Sequence, residues 1–301
     1  MLKHIRLFLK GMAMRAADVV PGVSGGTIAF ITGIYEELIG SISAIDKEAF
    51  SLLFKGKIGP LWAKINGNFL VVLFAGIFTS ILSLASVFTY ALEFYEIFTW
   101  SFFFGLVSAS VWMVGKTVEK WSAKAVVACI TGTIIAYFIT EMSAVHGIDA
   151  PWYLVLSGAL AVCAMILPGI SGSFILLLLG AYSVVLEAVA NREITTIALV
   201  GVGAITGLLL FSKGLKFIFE RYYTMTIALL TGFLLGSLNK LWPWKEFIET
   251  FTKHEGTPKE EIIPLTVQNL PPDSNWPIAL LFAIIGAVTV IGIEYAGKKL
   301  K

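Results

Sequence analysis

Residues 21–35, PGVSGGTIAFITGIY, interrupt a chain that is otherwise apolar enough to face lipid. Residues 168–182, PGISGSFILLLLGAY, repeat the interruption. Proline removes a backbone donor and glycine admits tight turns, so each stretch ends one helix and starts another. Inside a membrane such a break is tolerated only where the freed backbone is buried in protein or lines a polar cavity. How these two stretches are read therefore decides the fold.

The surroundings are those of a multi-span membrane protein. The chain has 301 residues, 57% hydrophobic and 14% charged, with a mean hydropathy of +0.85. A soluble chain carries about 25% charged residues. Continuous apolar runs of about 20 residues recur, enough to cross roughly 30 Å of hydrocarbon. They do not alternate at period two, which excludes a β-barrel. A net charge of +2 with no basic tract among aromatics excludes nucleic acid as a partner. Cys129 and Cys163 lie inside apolar segments and read as packing residues. The basic start, MLKHIRLFLKGMAMRAADVV, lacks a clean apolar core and a cleavage site, so it reads as mature protein rather than a signal peptide.

The two interruptions belong to an internal duplication. Pro21, Gly22, Ser24 and Gly25 match Pro168, Gly169, Ser171 and Gly172 at an offset of 147, as do Ile28/Ile175, Gly33/Gly180 and Tyr35/Tyr182. Further on, GIFTSILSLA (76–85) matches GAITGLLLFS (203–212) at an offset of 127, which also pairs Glu93/Glu220, Tyr95/Tyr222, Thr99/Thr226 and Gly105/Gly232. Third segments around Gly132 and Gly286 pair more loosely.

Lysine and arginine set the expected orientation, because cytoplasmic connections are rich in them. Lys3, Arg6 and Lys10, the lysines of 46–64, Lys116, Lys120 and Lys124, then Lys213, Lys216 and Arg221, and finally Lys298, Lys299 and Lys301 mark cytoplasmic regions. Both termini are then cytoplasmic, and 93–96, 141–149, 187–193 and 240–276 face outward. Residues 12–43 begin and end on one side and are too short for two crossings, so they form a re-entrant hairpin. Spans follow at 68–91, 97–115 and 124–141. A second re-entrant hairpin, 152–187, enters from the other face, followed by spans at 195–212, 225–241 and 277–297. The expected architecture is all-α: a first repeat, 1–145, and an inverted second repeat, 146–301, each with one hairpin and about three spans. Inverted repeats with broken helices recur in secondary transporters.

A helix that starts after a break presents free N–H groups and a positive dipole end. Ser24, Thr27, Ser171 and Ser173 stand at these starts as caps and further donors. Converging from opposite faces, Ser24, Gly25, Gly26 and Thr27 with Ser171, Gly172 and Ser173 would cradle an anion, with phosphate favoured. Pro21, Gly22, Pro168 and Gly169 supply the breaks. The plainer reading is that the motifs are only hairpin turns. Arg15 and Asp18 lie three apart on the arm into the first turn, hence on one helical face. Ionisable residues in a membrane segment are costly and point to function. Arg15 would fork onto phosphate oxygens, or else anchor at the cytoplasmic interface; Asp18 would orient Arg15 or carry a coupling proton. Val162 and Met165 stand in their places in the second repeat, which is therefore uncharged there.

Other residues carry less. Glu36 and Glu37 are coupling candidates that read more readily as interface markers, while Glu93, Glu187 and Glu220 read as loop or span-end residues. Gly203/Gly207 and Gly232/Gly236 have the spacing of close helix packing. Trp62, Trp112, Trp121, Trp152, Trp242 and Trp276 suit the interfacial belt. The stretch 46–66 suits an amphipathic helix on the inner surface. His4, His146 and His254 are isolated, so neither a metal site nor a catalytic base is expected, and no cofactor. Residues 243–276 read as an exposed loop with a short surface helix.

On these residues the chain resembles the PopT family of bacterial polyprenyl-phosphate transporters. RAADVVPGVSGGTIAFITGIYEELI (15–39) and LPGISGSFILLLLGAY (167–182) carry the resemblance, along with the order of apolar segments. It implies return of undecaprenyl phosphate, the lipid carrier of cell-wall precursors, from the outer to the inner leaflet of the bacterial cytoplasmic membrane. It also implies that Arg15, Asp18, Ser24, Gly25, Gly26 and Thr27 serve as the site, with Ser171, Gly172 and Ser173 in its repeat. Ser173 and Phe174 stand where the first motif has Gly26 and Thr27, so the second half's contacts differ. The alternative is an H⁺- or Na⁺-coupled small-ion exchanger built on Asp18. A lipid phosphatase would need clustered nucleophile and base residues, which the scattered histidines do not offer.

Overall fold

The computed structural model describes residues 2–18, 24–142, 150–253 and 261–298. Helix α1 (Leu2–Asp18) leads to the first break, and α2 (Gly25–Ile31) and α3 (Tyr35–Ser43) follow it. Two short helices, α4 (Lys47–Phe54) and α5 (Ile58–Lys64), precede three long ones: α6 (Gly67–Phe94), α7 (Glu96–Gly115) and α8 (Ala123–Glu141). Then come α9 (Pro151–Ile166), α10 (Gly172–Leu178), α11 (Tyr182–Asn191) and α12 (Ile194–Ser237). A 3-10 turn (Leu238–Leu241), strands β1 (Lys245–Lys253) and β2 (Glu261–Asn269), and α13 (Trp276–Lys298) complete the chain.

This is an all-α multi-pass membrane protein. Among the described residues three helices are long and apolar enough to cross a membrane, and up to five count if two bent pairs are each one span. One of those pairs, Gly172–Leu178 with Tyr182–Asn191, is bent by 107°. Helix α8 shows how a span partitions its faces. Val127, Ile130 and Phe138 are exposed, whereas Ala125, Gly132 and Ala136 are buried against α12. Large side chains thus meet lipid, and small ones let the helices approach.

Geometry recurs at the offsets read from the sequence. Thr32 and Leu179 end α2 and α10 with the same backbone (φ −81° in both), and Gly33 and Gly180 follow at φ +70° and +62°. That left-handed conformation suits glycine. The freed Thr32 carbonyl accepts from Lys10 Nζ (2.7 Å), and the Leu179 carbonyl accepts from the Tyr153 hydroxyl (2.6 Å). Tyr95 and Tyr222 share one non-helical conformation, φ −136°, ψ 43° and φ −135°, ψ 45°. Thr99 then donates to the Ala91 carbonyl, and Thr226 to that of Ile218.

Helix α1 packs on α6 and α9 packs on α12; a Cβ on Gly11 or Gly158 would collide with the carbonyl of Leu73 or Val200. Helix α7 packs on α13, and the later part of α12 packs on α8. Each third long helix therefore lies against the other half of the chain.

Several expectations need correction. The spans 195–212 and 225–241 are joined without a loop: within α12 two helices meet at a kink at Tyr222, whose carbonyl accepts from the Thr226 hydroxyl (3.0 Å), and the first runs well past residue 212. The arm into the first turn begins at Leu2 rather than residue 12, and α11 runs to Asn191 rather than 187. The stretch 46–66 is two short helices; Asp46 caps the first, and Lys64 returns to Asp46 (3.1 Å) and Glu48. Phe50, Leu53 and Phe54 are exposed there, as a surface-lying helix requires. Residues 243–276 hold an antiparallel β-hairpin, Lys245 opposite Asn269 and Lys253 opposite Glu261. Five of the nine residues of KEFIETFTK are aromatic or β-branched, which favours a strand despite its charges.

Candidate functional site

The two breaks meet. Ser24 is fully buried, and its side chain caps α2 by accepting from the Thr27 amide (3.2 Å). The same hydroxyl donates to the Leu167 carbonyl at 3.0 Å. In return the Gly169 amide donates to the Thr27 hydroxyl at 2.9 Å. Thus the first break satisfies one donor and one acceptor of the second, which a hydrocarbon interior would otherwise leave unpaired. Gly26 is needed for this approach, since a Cβ there would overlap the carbonyls of Ile166 and Met165 at the end of α9.

At the first turn the Gly25 amide donates to Asp18 Oδ1 at 2.6 Å, a charge-assisted bond. A carboxylate thereby sits where an anion would meet the start of α2. Arg15, half-buried one turn earlier, lies close enough to act electrostatically on Asp18, yet among the described residues it has no ion pair or hydrogen bond. In the second turn Ser171 caps α10 (Phe174 amide, 3.3 Å) and shares a hydrogen bond with Ser173 (2.8 Å). A Cβ on Gly25 would touch Asp18 and the Met14 carbonyl; on Gly172 it would strike Met165 and the Ala161 carbonyl. These are equivalent positions, so a thioether fills in the second half the place a carboxylate holds in the first.

The structure therefore brings together Asp18, Ser24, Gly25, Gly26, Thr27 and Gly169, with Arg15 beside them and Pro168 buried in the same turn. Gly172 and Ser171 form the second start, and Ser173 is exposed. Pro21 and Gly22 lie outside the described residues. Glu36 and Glu37 are exposed at the start of α3, bonded to Tyr223 (3.1 Å) and Asn66 (2.8 Å), and join none of the hydrogen bonds at the turns. Gly203 and Gly207 pack on α9, and Gly232 and Gly236 on α8.

Sequence reasoning missed two lysines near the second turn. Lys240 Nζ lies 4.6 Å from the centroid of the Phe174 ring, and Lys245 Nζ lies 3.2 Å from that of Trp100. Burial holds the Lys245 ammonium well below the ordinary lysine range; Lys240 lowers it further and Glu96 opposes this. The signal was present in KLWPWK (240–245), two cations flanking an aromatic run.

A multi-pass helical protein with two interior helix breaks docked on one another, and beside them a cation unpaired among the described residues, has the construction of a membrane transporter. The chain belongs to the VCA0040-like family, described as undecaprenyl phosphate translocase-like, whose profile matches residues 14–259. It is 42% identical over 307 residues to the polyprenyl-phosphate transporter of Vibrio cholerae serotype O1, covering 99% of this chain and 98% of that one. It is 33% identical over 253 residues to the polyprenyl-phosphate transporter of Staphylococcus aureus, covering 78% of this chain and 85% of the other. No solved structure matches.

Proposed function

We propose that this chain carries undecaprenyl phosphate across the bacterial cytoplasmic membrane, from the outer to the inner leaflet. The phosphate head is shielded at the junction of the two turns while the isoprenoid tail stays in lipid. The names of both relatives support the substrate. The observation that carries the site is the Arg15 guanidinium, free among the described residues, beside a carboxylate already seated on the Gly25 amide. A phosphate oxygen would replace the Asp18 carboxylate on that amide, and Arg15 would fork onto two others. Asp18 is then the group whose proton, or a Na⁺ ion in its place, couples release to transport. Residues 1–145 and 146–301 act as inverted repeats that rock about the junction, with both termini cytoplasmic. The recurrence of backbone geometry at Thr32/Leu179 and Tyr95/Tyr222 supports the duplication. The protein acts as a carrier and not as an enzyme.

The test is movement of undecaprenyl phosphate between leaflets of proteoliposomes, read by its accessibility to an added phosphatase. Wild-type protein should move it but not phosphatidylglycerol, and folded Arg15→Ala protein should not. Proton flux without any polyprenyl phosphate, together with no lipid movement, would replace this reading with the ion exchanger.

A further inference from the structure

Two cavities open at opposite ends of α7. One, of about 350 Å³, is lined by Phe104, Trp242, Pro243, Trp276, Leu280 and Ala283 among others. The other, of about 520 Å³, includes Trp112, Gly115, Lys116, Cys129, Thr231 and Leu235. Their linings correspond. Phe104 and Thr231, Gly115 and Trp242, and Lys116 and Pro243 stand 127 residues apart. Ala283 and Cys129 stand 154 apart, as do Gly286 and Gly132, which meet the equivalent residues Phe102 and Leu229. The two cavities are thus one feature occurring twice, once toward each end of the molecule. Both have exposed apolar walls, Trp276 and Leu280 in one and Trp112 and Leu235 in the other, so both face the lipid-covered surface.

Lys116 lines the second cavity, and Lys245 is the next residue along the chain from the first cavity's Trp244. Lys116 Nζ lies 3.2 Å from the Trp112 ring centroid in the second cavity. Beside the first, Trp100, over which Lys245 lies, precedes the lining residue Ser101. Lys245 donates to the Lys240 carbonyl. Among the described residues neither Lys240 nor Lys245 has a carboxylate within salt-bridge reach. The two nearby acids are engaged elsewhere, Glu96 by Trp100 and Glu141 by Asn239. Two amines held together out of water without a carboxylate partner favour an anion between them.

Resting on the function proposed above, we propose that these cavities are a matched pair of docking sites for an isoprenoid phosphate, one serving each leaflet. The first isoprene units occupy the apolar cavity, and the phosphate lies on Lys240 and Lys245 at one end or on Lys116 at the other. Lys240, over Phe174 of α10, leads the head from the first cavity toward the second turn. The sites receive and release the lipid; the turns pass it between them.

Farnesyl phosphate retention by Arg15→Ala protein, counted by native mass spectrometry, isolates the pair from the central site. Two equivalents should remain, with farnesol and phosphatidylglycerol not retained. Lys240→Gln with Lys245→Gln should remove one, and Lys116→Gln the other, each affinity falling about tenfold or more. Arginine at the same positions should restore both and shows that the glutamine variants lost charge rather than fold. If Arg15→Ala binds none, or binding ignores all three lysines, the docking sites fall while the carrier stands. If wild-type protein neither binds farnesyl phosphate nor moves undecaprenyl phosphate, the carrier falls too.

Discussion

The Gly169 amide donates to the Thr27 hydroxyl at 2.9 Å, so a backbone group of the second turn hangs from a side chain of the first. Both atoms are buried. Thr27→Val keeps the shape and removes the acceptor, leaving the amide unsatisfied at a cost of about 1–3 kcal/mol. Thr27→Ser should retain most of the stability. Thermal unfolding in detergent separates the two, and equal melting temperatures would show the bond to be dispensable.

Gly26 meets the Ile166 and Met165 carbonyls across the same junction, whereas nothing lies within 4 Å of a Cβ built on Gly40. Gly26→Ala should therefore destabilise by about 1–3 kcal/mol through overpacking. Gly40→Ala, within α3, should stabilise by up to about 1 kcal/mol through helix propensity. Opposite signs in the same unfolding measurement are the expected result.

On the proposed function, Asp18 and an incoming phosphate would compete for the Gly25 amide. Asp18→Asn keeps an acceptor oxygen but removes the charge, so one equivalent of phosphate lipid should bind about tenfold more tightly. Arg15→Ala should lose that equivalent. Trp62→Ala should change little, because among the described residues that exposed ring bonds only Asn68 and covers Gly67. Titration with farnesyl phosphate, counted by native mass spectrometry, reads all three. Weaker binding in Asp18→Asn would instead make Asp18 the orienter of Arg15.

On the docking proposed above, Lys245 would make phosphate binding depend on pH. Facing it are Lys240 on the 3-10 turn and Glu96 and Trp100 on α7. Its folded value lies below the unfolded one, so unfolding takes up a proton between the two, and stability rises with pH through that window. A phosphate favours the charged amine, so docking also takes up a proton. Affinity should rise by up to about tenfold per pH unit as pH falls through this window, provided the phosphate stays ionised above about pH 6. The Lys245→Gln protein should show a shallower profile, since Lys240, lowered by its own burial, remains.

Features governed by local chemistry were legible before the fold was known. Pro168, Gly169 and Ser171 break and restart a helix for reasons contained in a few residues, and Gly33 and Gly180 repeat a left-handed stop. Arg15 and Asp18 stood out because charge in an apolar arm is costly. What escaped depended on distant partners or on a single dihedral. Tyr222 lets one helix of α12 follow another with no loop between them, so the end of the first span is not marked by turn residues. The pairing of 245–253 with 261–269 requires two segments to find each other. Lys240 and Lys245 looked like solvated loop charges until Phe174 and Trp100 were placed beneath them.

The packing of α7 on α13 has a consequence for how the chain is made. Helix α7 ends at Gly115 and its mate begins at Trp276. At about 5–20 residues per second the ribosome needs roughly 8–30 s to cover that distance. Throughout that interval the Gly105 face that Ala283 will cover stands open to lipid or to an insertion chaperone. Helix α12 covers α8 earlier, but the α7 seam around Gly105 gains its cover only when α13 is made, so the first half is completed by the end of the second.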